Sequence, residues 1–215
     1  FPLPRTLSGV HGALVEPTAV AYHAVKRSGL TPGQSVLLVG AGPIGLAIIQ
    51  AARAAGAGEI VVREPSSARR QAALSLGAIC AVDPREDESG EAVREHFGSA
   101  GVEVTFEAAG TQPALAAALA ALAKRGVCVV VSAWAGEARL DALSLLRREI
   151  DIRFAFGCEA LQDFPAVLRL MSAGTIDAGA IVSDQIALED IVAQGYEELL
   201  ANREKHVKIL VNPHR

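Results

Sequence analysis

A chain of 215 residues is long enough for one large domain with an appendage, and at that size it buries roughly 70% of its unfolded surface without disulfide or metal staples. Half of it is hydrophobic, at 51% with a mean hydropathy of +0.31, so it is not a disordered chain. A net charge of −4, a pI near 5.8 and only 4% aromatic residues argue against a nucleic-acid partner, which would meet basic side chains and stacking platforms.

No apolar run reaches the ~18 residues of a membrane span, so no membrane is expected as a partner. Phe1-Pro2-Leu3-Pro4-Arg5 lacks the basic and apolar regions of a secretory leader, and the absence of an initial Met reads as a piece of something longer. Cys80, Cys128 and Cys158 stand far apart with apolar neighbours and no CxxC. Such cysteines read as reduced, packed thiols of a cytoplasmic protein.

From Ser35 onward, apolar runs of strand length alternate with longer helical patterns, which predicts an α/β fold with a doubly wound parallel sheet. Thr31-Pro32-Gly33 turns the chain into a first strand over 35–39, continuously apolar as expected of a strand covered on both faces. A helix over 43–55 follows, ended by Gly56. The second strand, 59–63, leads to a helix over 66–76 with Ser66 as N-cap and Gly77 beyond its end. A short third strand over 79–82, a helix over 91–97 and a fourth strand over 102–106 come next. The Ala-rich stretch 113–123 is a helix, since Leu115, Leu119 and Leu122 share one face. A fifth strand over 127–131, a short helix over 143–147 and a sixth strand over 150–156 complete the sheet. Beyond it come a helix over 164–172, a short strand near Ile181, a helix over 188–201 and a last strand over 207–211. The expected division is 1–20, 21–156 and 157–215, with only the middle segment in the sheet domain.

The loop Gly40-Ala41-Gly42-Pro43-Ile44-Gly45 matches the dinucleotide (Rossmann) fingerprint GxGxxG. Gly40 makes the tight turn out of the strand, Gly42 lets backbone approach a pyrophosphate, and Gly45 lets helix and sheet pack closely. The helix beginning at Pro43 aims unpaired N–H groups and its positive dipole end at the anion, and Pro43 suits a first turn that needs no N–H. A lone GxGxxG is weak evidence. Here it follows a buried strand, opens a helix, and has Glu64 at the end of the second strand, 19 positions after Gly45, where a carboxylate accepts the adenosine ribose hydroxyls. Glu64 favours NAD as the cofactor: a 2′-phosphate ~4 Å away would be repelled by about 1 kcal/mol in water and about 4 at an effective dielectric of 20. Arg63 and Arg69 pull the other way, and Arg63 is read as an exposed strand-end charge.

Three further stretches carry a family resemblance: Gly12-Ala13-Leu14-Val15-Glu16-Pro17 leading into Ala21-Tyr22-His23-Ala24-Val25, then Phe106-Glu107-Ala108-Ala109-Gly110, then His206-Val207-Lys208-Ile209-Leu210-Val211. With the glycine loop between them, the chain resembles the zinc-dependent medium-chain alcohol dehydrogenases, in the 2,3-butanediol and sorbitol dehydrogenase branch, over essentially its whole length. The resemblance implies NAD-dependent oxidation of an alcohol to a ketone, with a zinc ion polarising the substrate oxygen. It implies that Glu16 lies at or beside that zinc, although the residues alone read as a solvated carboxylate at a helix start. It also implies that Ile44 packs by the cofactor, that Arg69 reaches the adenosine ribose, and that Val131, Ser132 and Ala133 line the nicotinamide, with Ala155 and Phe156 presenting backbone to the carboxamide. The sixth strand would lie at the sheet edge and pair between subunits of a homo-oligomer. His23 reads as a locally satisfied helix residue, and His11, His96, His206 and His214 show no ligand spacing.

Two departures qualify what the resemblance implies. Sorbitol-type enzymes carry an arginine and a tyrosine against the polyol where this chain has Gly157 and Cys158, so a smaller secondary alcohol, diol or acyloin is expected as substrate. The family's GroES-like catalytic domain, which supplies most of the zinc ligands, is expected to be largely missing from these 215 residues, with 1–20 and 157–215 as its flanking segments. A stand-alone or degenerate NAD-binding module without catalysis is the leading alternative, and a zinc-free reductase of the same superfamily, which Glu16 counts against, is a third.

Overall fold

The computed structural model describes residues 1–87, 90–202 and 205–214. Its centre is a six-stranded, all-parallel sheet in the order β3-β2-β1-β4-β5-β6. The strands are β1 Val36–Val39, β2 Ile60–Arg63, β3 Cys80–Val82, β4 Val102–Glu107, β5 Leu122–Val130 and β6 Asp151–Phe154. That order is the doubly wound topology expected from the alternation of strands and helices, and its direction reverses between β1 and β4. Alternate residues of β1 feed two cores. Val36 and Leu38 pack with helices α1 Gly9–Ser28, α2 Pro43–Ala54 and α7 Ala160–Ser172 on one face. Leu37 and Val39 pack with α4 Glu91–Phe97 and α5 Gln112–Ala121 on the other. Helix α3, Ser67–Ser75, starts on Ser66, whose side chain accepts the Arg69 amide as an N-cap.

Several boundaries differ from the sequence expectation, each for a physical reason. Pro17, expected at a helix start, sits inside the 20-residue α1, and the division drawn between residues 20 and 21 falls within that helix. Gly12 and Pro17 lower its intrinsic propensity by about 1 and about 3 kcal/mol. Full burial of Leu14, Val15 and Val25 returns about 1.5–3 kcal/mol each, so packing outweighs propensity. Helix α5 stops at Ala121, and the chain enters β5 with no loop, because Leu122 pairs with Val102 rather than continuing the apolar helix face. Arg148 holds the carbonyls left open there, donating to Leu119 and Leu122. The helix expected over 188–201 is a wider π-helix over Ile191–Glu197, followed by one turn of α8, Glu198–Ala201. Gly195 packs tightly against Ile186 in that π-helix, where an added Cβ would lie 3.2 Å from the Ile186 side chain. Ile181 ends a 3-10 turn, and the strand β7, Val182–Ala187, begins after it and pairs in parallel with β8, Lys208–Asn212, in a separate small sheet. Among the described residues, no helix is long and apolar enough to cross a membrane.

Asp163 fastens α1 to α7. It is fully buried and accepts from Lys26 Nζ at 2.8 Å and the Glu159 amide at 2.8 Å, with His23 Nδ1 at 3.1 Å. The sequence expectation starts this helix at Phe164 and leaves Asp163 outside it, whereas α7 begins at Ala160 and carries Pro165 inside. Burial pushes the Asp163 carboxyl up, but the bonds from Lys26 and Glu159 more than offset this and leave it below its ordinary 3.8. A depressed carboxyl stabilises the fold above its unfolded value, and that contribution is lost as pH falls through the folded value. Asp163→Ala is therefore expected to lower stability at pH 7 by about 2–3 kcal/mol in urea denaturation, less than a fully buried pair would lose because Lys26 keeps solvent. The gap to the parent chain should narrow below pH 3.8, and a pH-independent gap would contradict this account.

Candidate functional site

The glycine loop joins β1 to α2 at the reversal point of the sheet. Gly40 has φ +97°, and a Cβ there would come within 3.0 Å of the Ala108 and Ala109 backbone, so both the turn and the neighbouring corner demand glycine. Gly45 lies under the loop itself: a Cβ would stand 2.2 Å from the Gly40 carbonyl oxygen and 3.4 Å from Leu38 on the strand. Nothing lies within 4 Å of a Cβ on Gly42, so that position faces open space. Pro43 occupies the first helical turn, and no side chain caps this terminus. The first-turn amides of α2 therefore remain without intrahelical partners, an arrangement suited to an anion.

Glu64 is buried at the end of β2, with 4% exposure. Its two oxygens accept backbone amides on either side, Oε2 from Ala41 at 2.7 Å and Oε1 from Ser66 at 2.9 Å. The carboxylate thus ties the glycine loop to the start of α3, and each oxygen retains a lone pair for a further donor. Behind it, Arg70 donates to the carbonyls of Glu64 and Pro65 and to Asp83. Arg85 and Arg70 hold the Asp83 carboxyl well below the usual carboxylate range. Arg63 is not the exposed strand-end charge expected. It is buried, since residue 63 of β2 points to the same face as Leu37 and Val39, and its guanidinium donates to the Asp87 carbonyl.

Gly40, Gly42, Glu64 and Arg69 line one cleft of about 1010 Å³, together with Ala108 and Ala109 at the end of β4. Arg63 lines it as well, and the remaining site residues named from sequence stand outside its lining. Ile44 packs partly buried against the core beside the loop, and Val131, Ser132 and Ala133 follow the end of β5. Ala155 and Phe156 follow the end of β6, where Ala155 is buried with its amide bonded to Val130 and Phe156 is 99% exposed. In the order of the sheet, β5 and β6 lie across β1 from Glu64, so the two groups flank the glycine loop. Glu107 and Trp134, given no role by sequence, stand between them. Glu107, the last residue of β4, is fully buried and accepts from the Ala109 and Gly110 amides, the Ser132 hydroxyl and Trp134 Nε1. The signal was an acid closing an apolar strand before two alanines and a glycine, a place where loop amides need an acceptor.

Glu16 is exposed on α1. It acts electrostatically on Cys158, whose thiol is raised by burial first and then by the Glu16 and Asp163 carboxylates. Among the described residues, no three His, Cys, Asp or Glu side chains gather in a way that could hold a metal, and a lone carboxylate does not define a zinc geometry. Zinc does not fit these residues by themselves. Lys208 begins β8 in the small sheet and is absent from the cleft lining.

Comparison with known proteins matches residues 43–173 to the family of zinc-binding dehydrogenases. The chain is 38% identical to the (R,R)-butanediol dehydrogenase of Bacillus subtilis over 213 residues, covering 99% of this chain and 60% of that protein. The crystal structure of 2R,3R-butanediol dehydrogenase from Bacillus subtilis is similar with a TM-score of 0.91 at 39% identity, across 99% of this chain and 60% of that one. A Sinorhizobium meliloti structure described as a zinc-binding dehydrogenase and bound to NADP is similar with a TM-score of 0.86 at 28% identity, across 99% and 62%. The chain thus spans about three fifths of the length of these relatives. With the family match running from the glycine loop through α7, on a sheet of dinucleotide-binding order, this chain belongs to the zinc-binding dehydrogenases.

Proposed function

We propose that this chain is the cofactor-binding part of an NAD-dependent dehydrogenase that oxidises a small secondary alcohol or diol to the ketone. The observation that carries the reading is the buried Glu64 carboxylate bonded to the glycine loop beside an open Gly42. In this reading Gly42 and the first turn of α2 hold the pyrophosphate, with Pro43, Ile44 and Gly45 shaping its approach. Glu64 accepts the adenosine ribose hydroxyls, with Arg69 beside it. Val131, Ser132, Ala133, Ala155 and Phe156 form the nicotinamide end. Bound NAD supplies the hydride acceptor, and these residues orient it. The butanediol dehydrogenase likeness supports a small diol, as does the Gly157-Cys158 pair, which offers no arginine or tyrosine to a longer polyol. Glu16 is the carboxylate this chain would bring toward the family's zinc.

The choice of NAD over NADP rests on charge. A 2′-phosphate at Glu64 meets a carboxylate that is already buried, where repulsion exceeds its value in water. Of the arginines at hand, Arg70 and Arg85 are engaged by Asp83 and Arg63 donates to the Asp87 carbonyl, while Arg69 lines the cleft beside Glu64 and is the one arginine of these that works against the choice. Equilibrium titration is expected to give NADH at least about tenfold tighter binding than NADPH, equivalent to about 1.4 kcal/mol, and Glu64→Gln should narrow the ratio. Equal affinities in the parent chain would remove the NAD assignment.

Self-association follows from the edge strand. Strand β6 ends the sheet, with Phe154 66% and Phe156 99% exposed, and Leu146 nearby in sequence 73% exposed. An unpaired edge strand with exposed phenylalanines at its end invites another strand, and a second copy related by a two-fold axis satisfies it. Light scattering at micromolar concentration should report a dimer or larger. A clean monomer would refute the pairing.

The purified 215-residue chain is also expected to bind NADH while holding no stoichiometric zinc by elemental analysis and reducing no NAD with 2,3-butanediol. Near-stoichiometric zinc or clear turnover would show a metal site complete within these residues, and the account of Glu16 would be wrong.

A further inference from the structure

Glu107 is a carboxylate buried among loops, and its bonds run to two segments at once. Oε1 accepts the Ala109 amide at 2.8 Å and the Gly110 amide at 2.7 Å, from the corner between β4 and α5. Oε2 accepts the Ser132 hydroxyl and, at 3.2 Å, Trp134 Nε1, both from the segment leaving β5. Its own carbonyl accepts the Val131 amide at 2.9 Å and the Ser132 amide at 3.3 Å. Burying a carboxylate is unfavourable unless its lone pairs are matched, and four donors match them here. The two segments also touch directly, since a Cβ on Gly110 would lie 2.8 Å from the Ala133 carbonyl oxygen. On its other side the β4 corner abuts the glycine loop, 3.0 Å from a Cβ on Gly40. Glu107 therefore sits where the glycine loop, the β4 corner and the segment 131–134 meet.

We propose that Glu107 is a positioning residue that fixes the wall at the nicotinamide end of the cofactor site. The inference rests on the dinucleotide reading above, because the segment it orders is the one assigned there to the nicotinamide. It acts through others: the carboxylate holds Ser132 and Trp134 against the β4 corner, and so sets where the 131–133 backbone stands relative to the glycine loop. A glutamine is a poor substitute: with its carbonyl oxygen on the Ala109 and Gly110 amides its N–H₂ can donate to the Ser132 hydroxyl, but it meets the Trp134 indole N–H, which is itself a donor. Glu64 at the adenosine end has no bond to Glu107, and the two are linked only through the β4 corner, whose Ala108 and Ala109 line the cleft with Glu64.

Calorimetric titration with two probes separates a positioning role from a general loss of structure. NADH reaches both ends of the site, and ADP reaches only the adenosine and pyrophosphate end. Glu107→Gln is expected to weaken NADH by about tenfold or more, the loss of roughly one charge-assisted hydrogen bond, while weakening ADP several-fold less, since ADP meets the β4 corner that Glu107 holds but not the segment 131–134. Trp134→Phe, which deletes only one donor, should show the same split with a smaller loss. Equal weakening of both probes in Glu107→Gln, or no change in NADH, would overturn the proposal. If Glu107→Gln fails to fold, Trp134→Phe decides, and an unchanged ratio of NADH to ADP affinity overturns it. A parent chain that binds neither probe would sink the dinucleotide reading and this inference with it; one that binds both while the variants keep its ratio sinks this inference alone.

Discussion

At the carboxyl ends of parallel strands the chain must leave the sheet, and the amides of the first loop residues lose their neighbours. In this protein two buried carboxylates accept those amides. Glu64 takes Ala41 and Ser66 at the ends of β1 and β2. Glu107 takes Ala109 and Gly110 at the end of β4 and reaches across to the segment after β5. Without such acceptors each buried amide would cost about 1–3 kcal/mol, and the loops would seek other conformations. The crevice at the reversal of the sheet keeps its shape because its acids are bonded before any ligand arrives.

The same arrangement explains why the glycines are needed. Gly40 and Gly45 are not interchangeable turn residues; each sits where backbone from another part of the site would lie within 3.0 Å or less of an added side-chain carbon. Gly42 has no such neighbour. The loop thus contains two glycines required by the protein's own packing and one whose side-chain position faces open space.

Much of this was legible in the sequence. The apolar run of β1, the glycine spacing, Pro43 at the helix start and Glu64 at a strand end are local signals, and local signals survive translation into structure. Features that depend on distant neighbours were hidden. Helix α1 was obscured by Gly12 and Pro17, because its stability comes from burial rather than propensity. Arg63 read as exposed because burying a guanidinium depends on a carbonyl 24 residues away. Glu107 read as part of a family stretch and nothing more, since its donors at Ser132 and Trp134 become neighbours only when β4 and β5 pair. The first turn of α7 and the end of α5 were misplaced where a proline or a continuing leucine period obscured the true helix ends.

Trp134 gives the site an optical consequence. It is the single tryptophan of the chain, partly buried, with its indole N–H bonded to the Glu107 carboxylate. All indole emission from this protein therefore originates at one loop, next to the Glu107 side chain, and its colour and intensity report on that loop without any label. A change at β3, α7 or the small sheet would leave the signal untouched unless it reached this corner, so the chain carries a native probe confined to the segment leaving β5.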